Sequence, residues 1–252
     1  MNEQSVIYAA GDNPDMLRAF QEAQDTFKYF WRELSWEYRR IVPALDLACI
    51  KIAFLEETAT PGKPIVEYMW VSEINFDGEM IHGMLINTPD KLRNVQNGDH
   101  ITASLNRLCD WMFALDGKTY GGFTVQLLRA GMSEEERREH DEAWGLDFGD
   151  YNDIQVVRGQ KETPAHLTEH PMSLNMKDSF LGFLKENPDE VNAKDEAGHT
   201  ILHRETIAGN RSMVEALLSS GVDTSAQTNS GKTALDYAQQ LSWEHIIPLL
   251  QR

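Results

Sequence analysis

Apolar residues at Met16, Leu17, Phe20, Ala23, Phe27, Phe30, Trp31, Leu34 and Tyr38 recur at helical spacing, while Arg18, Glu22, Asp25, Arg32 and Glu33 take the opposite face. Asn13 is suited to cap such a run and Pro14 to open it, so the pattern predicts one long helix lying across a sheet. From Leu45 to about Leu115 the period drops to two. Residues 48–54 read as a strand and 66–76 as a second, with Tyr68, Trp70, Ile74 and Phe76 on one face. Asp77-Gly78 suits the positive φ of a tight hairpin into a third strand over 79–86. Asn97-Gly98 and Asp116-Gly117 repeat that signal around His100-Ile101-Thr102 and Trp111-Met112-Phe113. A meander of antiparallel strands is expected.

Tyr120-Gly121-Gly122-Phe123 precedes a short helical run over 124–129. Ser133-Glu134-Glu135-Glu136 has the form of a capping box, with Ser133 as cap and Glu136 at the third position, starting a helix to about Ala143. Residues 144–150 close the domain with acidic and aromatic side chains. Residues 151 to about 176 carry Pro164 and Pro171 and little periodicity, and read as a connecting arm. Within it, His166-Leu167-Thr168-Glu169-His170 follows the order of an inverted zinc-protease motif, which needs both histidines on one helical face. Pro171 turns His170 away from helical angles, and no third ligand stands at a useful spacing. The expectation is an ordered arm with hydrogen-bonded histidines, and no metal or cofactor is assigned.

The last third repeats itself. Thr200-Ile201-Leu202-His203 and Thr233-Ala234-Leu235-Asp236 stand 33 residues apart, Gly198 pairs with Gly231, and Met213, Val214 and Leu217 recur as Ile246, Ile247 and Leu250. One period earlier stand Phe180, Leu181 and Leu184, so half a unit precedes the first full one. Thr200 and Thr233 sit where a hydroxyl caps a helix, and Gly198 and Gly231 supply a positive φ at a turn. Asp195, Gly198, Thr200, Leu202, His203, Gly209, Leu217, Leu218, Gly221, Val222 and Asp223 together resemble the ankyrin family, whose period is 33 residues. The second unit departs from that pattern, with Thr228 in place of the aspartate and Asp236 in place of the histidine; both units lack the proline. The resemblance implies stacked helix pairs that bind protein, and a structural hydrogen bond from His203 to a neighbouring finger. Ser230-Gly231-Lys232-Thr233 imitates the end of a phosphate-binding loop, but Ala226 stands where the earlier glycine is required, so it reads as a finger tip.

Met69-Trp70-Val71-Ser72, Ile86-Asn87-Thr88-Pro89, Asp110-Trp111-Met112, Gly121-Gly122-Phe123-Thr124 and Ser133-Glu134-Glu135-Glu136 occur in that order. Over roughly residues 12–149 they resemble a bacterial domain family of unknown function, family 2314, typified by YegJ-like proteins. That resemblance implies a bacterial source and a compact α+β domain, and carries over no catalytic residue. The fold class expected is therefore an α+β N-terminal domain, a long helix on an antiparallel sheet, followed by a short all-α ankyrin-repeat stack. The boundaries expected are 1–150 for the domain, 151–176 for the arm and 177–252 for the repeats.

Charge narrows the partners. Lys and Arg number 23 against 40 Asp and Glu, a net −17 with a pI near 4.8. Such a surface repels nucleic acid and anionic membranes and favours a basic protein partner. No apolar run reaches the roughly 20 residues of a membrane span. Met1-Asn2-Glu3-Gln4 lacks the basic and apolar parts of a leader, and Cys49 and Cys109 lie in apolar runs that suit buried thiols; both agree with a cytoplasmic address.

Two readings of function follow. The first is a non-catalytic protein-interaction protein, in its sharper form an immunity or antitoxin-like inhibitor of a basic partner. The contact residues expected are Lys194, Glu196 and His199 on the first finger, Asn229 and Lys232 on the second, and Arg204, Glu205, Tyr237 and Gln240 on the adjoining helix face. Because about three repeats are needed for an independent stack, something must cover the first unit. The arm from about Tyr151 to Met176, with the start of the 177–186 helix, is expected to join the repeats to the first domain as a continuous body. Trp243, Ile246, Ile247, Leu249 and Leu250 leave the last helix apolar on more than one side, which suits either a tightly wrapped edge of the core or a contact surface for a second copy or a partner. The alternative is an enzyme or small-ligand sensor with Asp110, Trp111 and His82 or His100 lining a pocket in the first domain and the repeats as docking arm. Against it, Asp110 is better suited to satisfy backbone donors in a turn, with Trp111 in the core, since pocket chemistry needs several convergent polar groups. Nothing in the sequence compels catalysis.

Overall fold

The computed structural model describes residues 13–57 and 64–251; the Met1-Asn2-Glu3-Gln4 segment lies outside them. Helix α1 spans Pro14–Glu37 and is capped by Asn13, whose Oδ1 accepts from the Asp15 amide at 2.9 Å. Six strands follow: β1 (Leu45–Glu56), β2 (Ile65–Phe76), β3 (Met80–Leu85), β4 (His100–Ser104), β5 (Leu108–Leu115) and β6 (Lys118–Gly121), in the antiparallel sheet order β4-β3-β2-β1-β5-β6. The meander expected from the turns therefore holds only as far as β4. The chain then passes from that edge to the far side of β1 through one 3-10 turn, Leu105–Arg107. Four residue steps span at most about 14 Å, whereas four places in a flat sheet are about 19 Å apart. The sheet must curl, and Arg107 fastens the crossing by donating Nε and Nη2 to the Ala53 carbonyl of β1.

Chain contacts divide the molecule into two units. The first takes in the residues up to Phe27, Leu45–Asn75 and Ile81–Gln155. Register sorts its side chains. Ile50 stands opposite both Trp111 and Val71, and this buried face meets α1, where the Trp111 indole donates to the Ala23 carbonyl at 3.0 Å. On the other face Cys49 and Met112 pack with Val125 of α2 (Phe123–Ala130) and with Phe148, just beyond α3 (Glu134–Trp144). Both cysteines are buried free thiols, and burial pushes each up to about 12. The Ser133 capping box closes in both directions.

The second unit contains Lys28–Ala44, Phe76–Met80 and the chain from Val156 onward. Its helices are α4 (Pro171–Glu186), α5 (Ile201–Ile207), α6 (Arg211–Ser219), α7 (Ala234–Gln240) and α8 (Ile247–Leu250). α5 packs on α6 and α7, α6 on α4, and α7 on α8. The end of the expected arm is helical: Pro171 opens α4 at its first position, and His170 caps it by accepting from the Met172 amide. The 33-residue repeat appears as bonds between fingers. The Asn229 amide donates to Ala197 O at 2.9 Å, Asn229 Nδ2 to Glu196 O at 2.9 Å, and Lys194 Nζ to Gln227 O at 2.8 Å.

Both departures in the second finger keep their chemistry. Asp195 Oδ1 accepts from Ala197 N and His199 N in the first finger, and Thr228 Oγ1 accepts from Lys232 N in the second. Asp236 completes the Thr233 capping box as His203 completes that of Thr200. The His203 Nδ1 makes that cap, while its Nε2 faces the backbone of Ala226 and Lys232 without closing a hydrogen bond of normal geometry.

The polar face of α1 is overturned in its second half. Trp31 to Trp36 are all buried, including Arg32 at 1% exposure and Glu33 at 6%. Arg32 donates to the carbonyls of His166 and Leu167. Glu33 accepts from His170 Nε2 at 2.9 Å and pairs with Arg40; burial alone would raise its pKa, and these partners more than reverse it. A charged helix face turns inward when each charge finds a partner there. The two histidines of the arm thus have separate duties, since His166 Nδ1 sits 2.8 Å from the Arg158 carbonyl.

The apolar end of the chain also turns inward. Trp243 and Ile246 are 1% and 0% exposed, and α8 is only four residues long, so the exposed apolar helix that admitted a second copy does not form. The Trp243 ring lies on Gly209, where a Cβ would fall 2.3 Å from it, and meets Tyr29 edge-on at 5.7 Å. Beside it, His245 Nε2 is 3.2 Å from the Gly209 carbonyl, and burial, assisted by Arg32, Arg211 and Lys28, lowers its pKa to about 4. Unfolded histidine titrates near pH 6.5, so between about pH 6.5 and 4 the unfolded chain takes up a proton that the folded chain refuses. His245 therefore subtracts stability as pH falls through that window and costs nothing above it. Replacing His245 with Gln is expected to flatten the fall of the urea midpoint between pH 6.5 and 4.5; identical slopes in parent and variant would refute this.

Candidate interaction surface and the buried carboxylate

The residues expected to meet a partner separate into two groups. Lys194, Glu196, Arg204 and Asn229 stay exposed, and Lys232 is partly so. Arg204 is paired with Asp195 at 2.9 Å, and the backbone bonds between fingers hold the tips at a fixed spacing. Glu205, His199 and Tyr237 are buried, Tyr237 completely. Glu205 is gripped by Arg39 at 2.8 Å and by Asn210 Nδ2 at 2.8 Å, and Asn210 in turn accepts from the Trp36 indole. Tyr237 stands 3.4 Å from His199 Nε2 and packs beneath Gly78. Gln240 is exposed, yet its amide reaches the Gly78 carbonyl at 2.6 Å. The helix face that the repeat spacing nominates is thus occupied by Trp36, Arg39 and the residues around Gly78, all of the same unit. One indirect sign of this stands in the sequence, an aromatic helix continuing into Arg39 and Arg40.

A cleft of about 360 Å³ opens elsewhere in this unit, lined by Leu181, Leu184, Pro188, Val191, Ser219 and Gly221. Near it on α4, Phe183 is exposed, and Leu174 and Met176 on the same helix are exposed as well.

In the first unit, Asp110 does what a turn carboxylate does. It is fully buried and accepts from the amides of Trp111, Phe123 and Thr124 and from the Thr124 hydroxyl, so it caps α2 just after the Gly121-Gly122 turn. Lys51, its register partner on β1, donates Nζ to Thr124 Oγ1 at 2.7 Å and lies 4.5 Å from the centre of the Trp70 ring. Burial drives the two titrations toward neutrality, Asp110 upward and Lys51 downward, and each resists the other's shift. Trp111 is core. His82 bonds instead to Thr102 on the surface, and His100 is exposed on β4; neither bonds to Asp110. Among the described residues no three His, Cys, Asp or Glu side chains converge as metal ligands, and no helix is long and apolar enough to cross a membrane.

A long helix on a six-stranded antiparallel sheet, continued by helix pairs whose fingers bond at the repeat spacing, sets the class of this protein. The chain belongs to the family described as "Uncharacterized protein conserved in bacteria (DUF2314)", whose model matches residues 13–148. It is 45% identical over 251 residues to the "Putative ankyrin repeat protein NMB1133/NMB1171" of Neisseria meningitidis serogroup B, covering 100% of this chain and 98% of that protein. It is also 29% identical over 73 residues to the "Uncharacterized protein YegJ" of Escherichia coli K12, covering 29% of this chain and 48% of that one. No solved structure matches.

Proposed function

We propose that this chain is a non-catalytic protein-interaction protein whose helices from α4 onward stack as short ankyrin repeats and whose partner meets the exposed finger tips. The observation that carries the reading is the set of finger-to-finger bonds at the 33-residue spacing, which holds Lys194, Glu196 and Asn229 in a fixed row at the surface. The name of the meningococcal relative supports it. The finer form is an immunity or antitoxin-like inhibitor in the cytoplasm. For that form the support is charge: a net −17, with α3 exposing Glu134, Glu135, Glu136, Glu139 and Glu142, speeds encounter with a basic protein. Affinity capture from the native cell with the parent chain and with a Lys194→Glu/Glu196→Arg variant tests the reading. A basic protein held by the parent and lost by the variant is the expected result. A partner retained equally by both, or no partner at all, would sink it.

A further inference from the structure

Three contacts around Gly78 have the character of recognition, beyond simple packing. The β2–β3 turn is shaped by Asp77, whose Oδ1 accepts from the amides of Glu79 and Met80. Gly78 has φ +99° and is pressed so closely on the repeats that a Cβ there would lie 2.6 Å from Tyr237 and 2.9 Å from Ile207. Its carbonyl accepts from Gln240 Nε2 at 2.6 Å. The Glu79 carboxylate meets Lys232 Nζ at 2.9 Å, and hydrogen bonds from Lys232 and Ser230 hold its pKa below the usual range. Lys232 is itself oriented by Gln240 Oε1 at 2.6 Å and lies over the Tyr237 ring at 5.5 Å. An aromatic floor thus admits only glycine, an amide reads one main-chain carbonyl, and an ammonium reads the acid that follows. Together the three contacts specify a glycine, its free main-chain carbonyl and a following acid at successive points of one turn.

We propose that the second finger together with α5 and α7 forms a recognition site for an acidic, glycine-centred turn, and that Asp77-Gly78-Glu79 of the same chain holds this site in cis. The inference rests on reading the repeats as binding elements, and it separates the face filled by the chain itself from the exposed tips left for a basic partner. Whatever takes this face from outside must carry the same chemistry, a glycine flanked by acids in a turn, and must displace the residues already there.

The experiment uses the full chain and a labelled cyclic peptide of residues 74–82. Gly78→Val places a side chain where Tyr237 leaves no room, at a φ that branched residues avoid. With the site vacated, the peptide is expected to bind the Gly78→Val chain at least about tenfold more tightly than the parent, because a site closed in cis lowers apparent affinity by the fraction open. Equal affinity for the two chains, or no binding to the variant, would overturn the proposal. Should Gly78→Val lose its circular-dichroism signature of folding, charge reversal decides. Glu79→Lys and Lys232→Glu are each expected to speed amide exchange across 228–240 by about tenfold, and the double variant to restore protection. Failure of the double variant to restore it would overturn the proposal equally. Neither readout depends on the finger-tip partner, so loss of that partner in the capture experiment leaves this test intact.

Discussion

Asp110→Ala is expected to destabilise the chain by about 3–5 kcal/mol, the cost of leaving several buried donors without their acceptor. The carboxylate satisfies three backbone amides and a hydroxyl inside the first unit, so its removal leaves four buried donors unmet. It also leaves the Lys51 ammonium, already destabilised by burial, with no counter-charge on the adjoining strand. Water cannot substitute easily, because Trp111 and Thr124 are 0% and 1% exposed. Asp110→Asn should fall between parent and alanine, since the amide keeps the shape but turns one acceptor into a donor. Urea denaturation monitored by tryptophan fluorescence measures this. A loss under about 1 kcal/mol for Asp110→Ala would show that the carboxylate is not the fastening of α2, and would reopen a chemical role for it.

Trp243→Ala is the corresponding change in the second unit, expected to cost about 3–5 kcal/mol as a large-to-small substitution in a packed interior. The indole donates to the Ile207 carbonyl at 3.2 Å, roofs Gly209, and takes Lys28 over its ring at 5.0 Å. Its loss leaves a cavity between α5, the start of α8 and α1 that small neighbours such as Gly209 cannot fill. The effect should be on unfolding, not on association, because Trp243 and Ile246 face inward. Thermal unfolding with light scattering separates the two. A variant that keeps its melting temperature but changes in mass would restore the idea that this end meets another copy.

Elements with local signals are legible in the residues themselves. Asn13-Pro14 marks the start of α1, Ser133 and Glu136 that of α3, and the two threonines 33 residues apart place α5 and α7 because each makes its own capping box. Asp110 is legible to the same degree, as a carboxylate one strand away from a Gly-Gly turn. Features set by distant partners are not. Arg32 and Glu33 have the spacing of solvent-facing residues, and their partners lie 134 and 137 residues further on. The crossing from β4 to β5 is hidden because turn residues announce a turn and say nothing about which strand the chain rejoins. Tyr237 and Glu205 read as available because helix periodicity identifies a face without showing what covers it. Pro171 correctly places His170 outside a helix, though the same proline begins the next one.

The stretch from Trp31 to Trp36 has a consequence during synthesis. Its partners, from His166 to Asn210, leave the ribosome 134 to 174 residues later. At about 5–20 residues per second, that delay is roughly 7 to 35 s. Throughout it, the Trp36 indole and the Arg32 guanidinium stand open to solvent and to other nascent chains, whereas Trp31 is covered earlier by Phe76. This molecule therefore completes its fold late, and the demand it makes on holding chaperones should be greatest while its middle third is being translated.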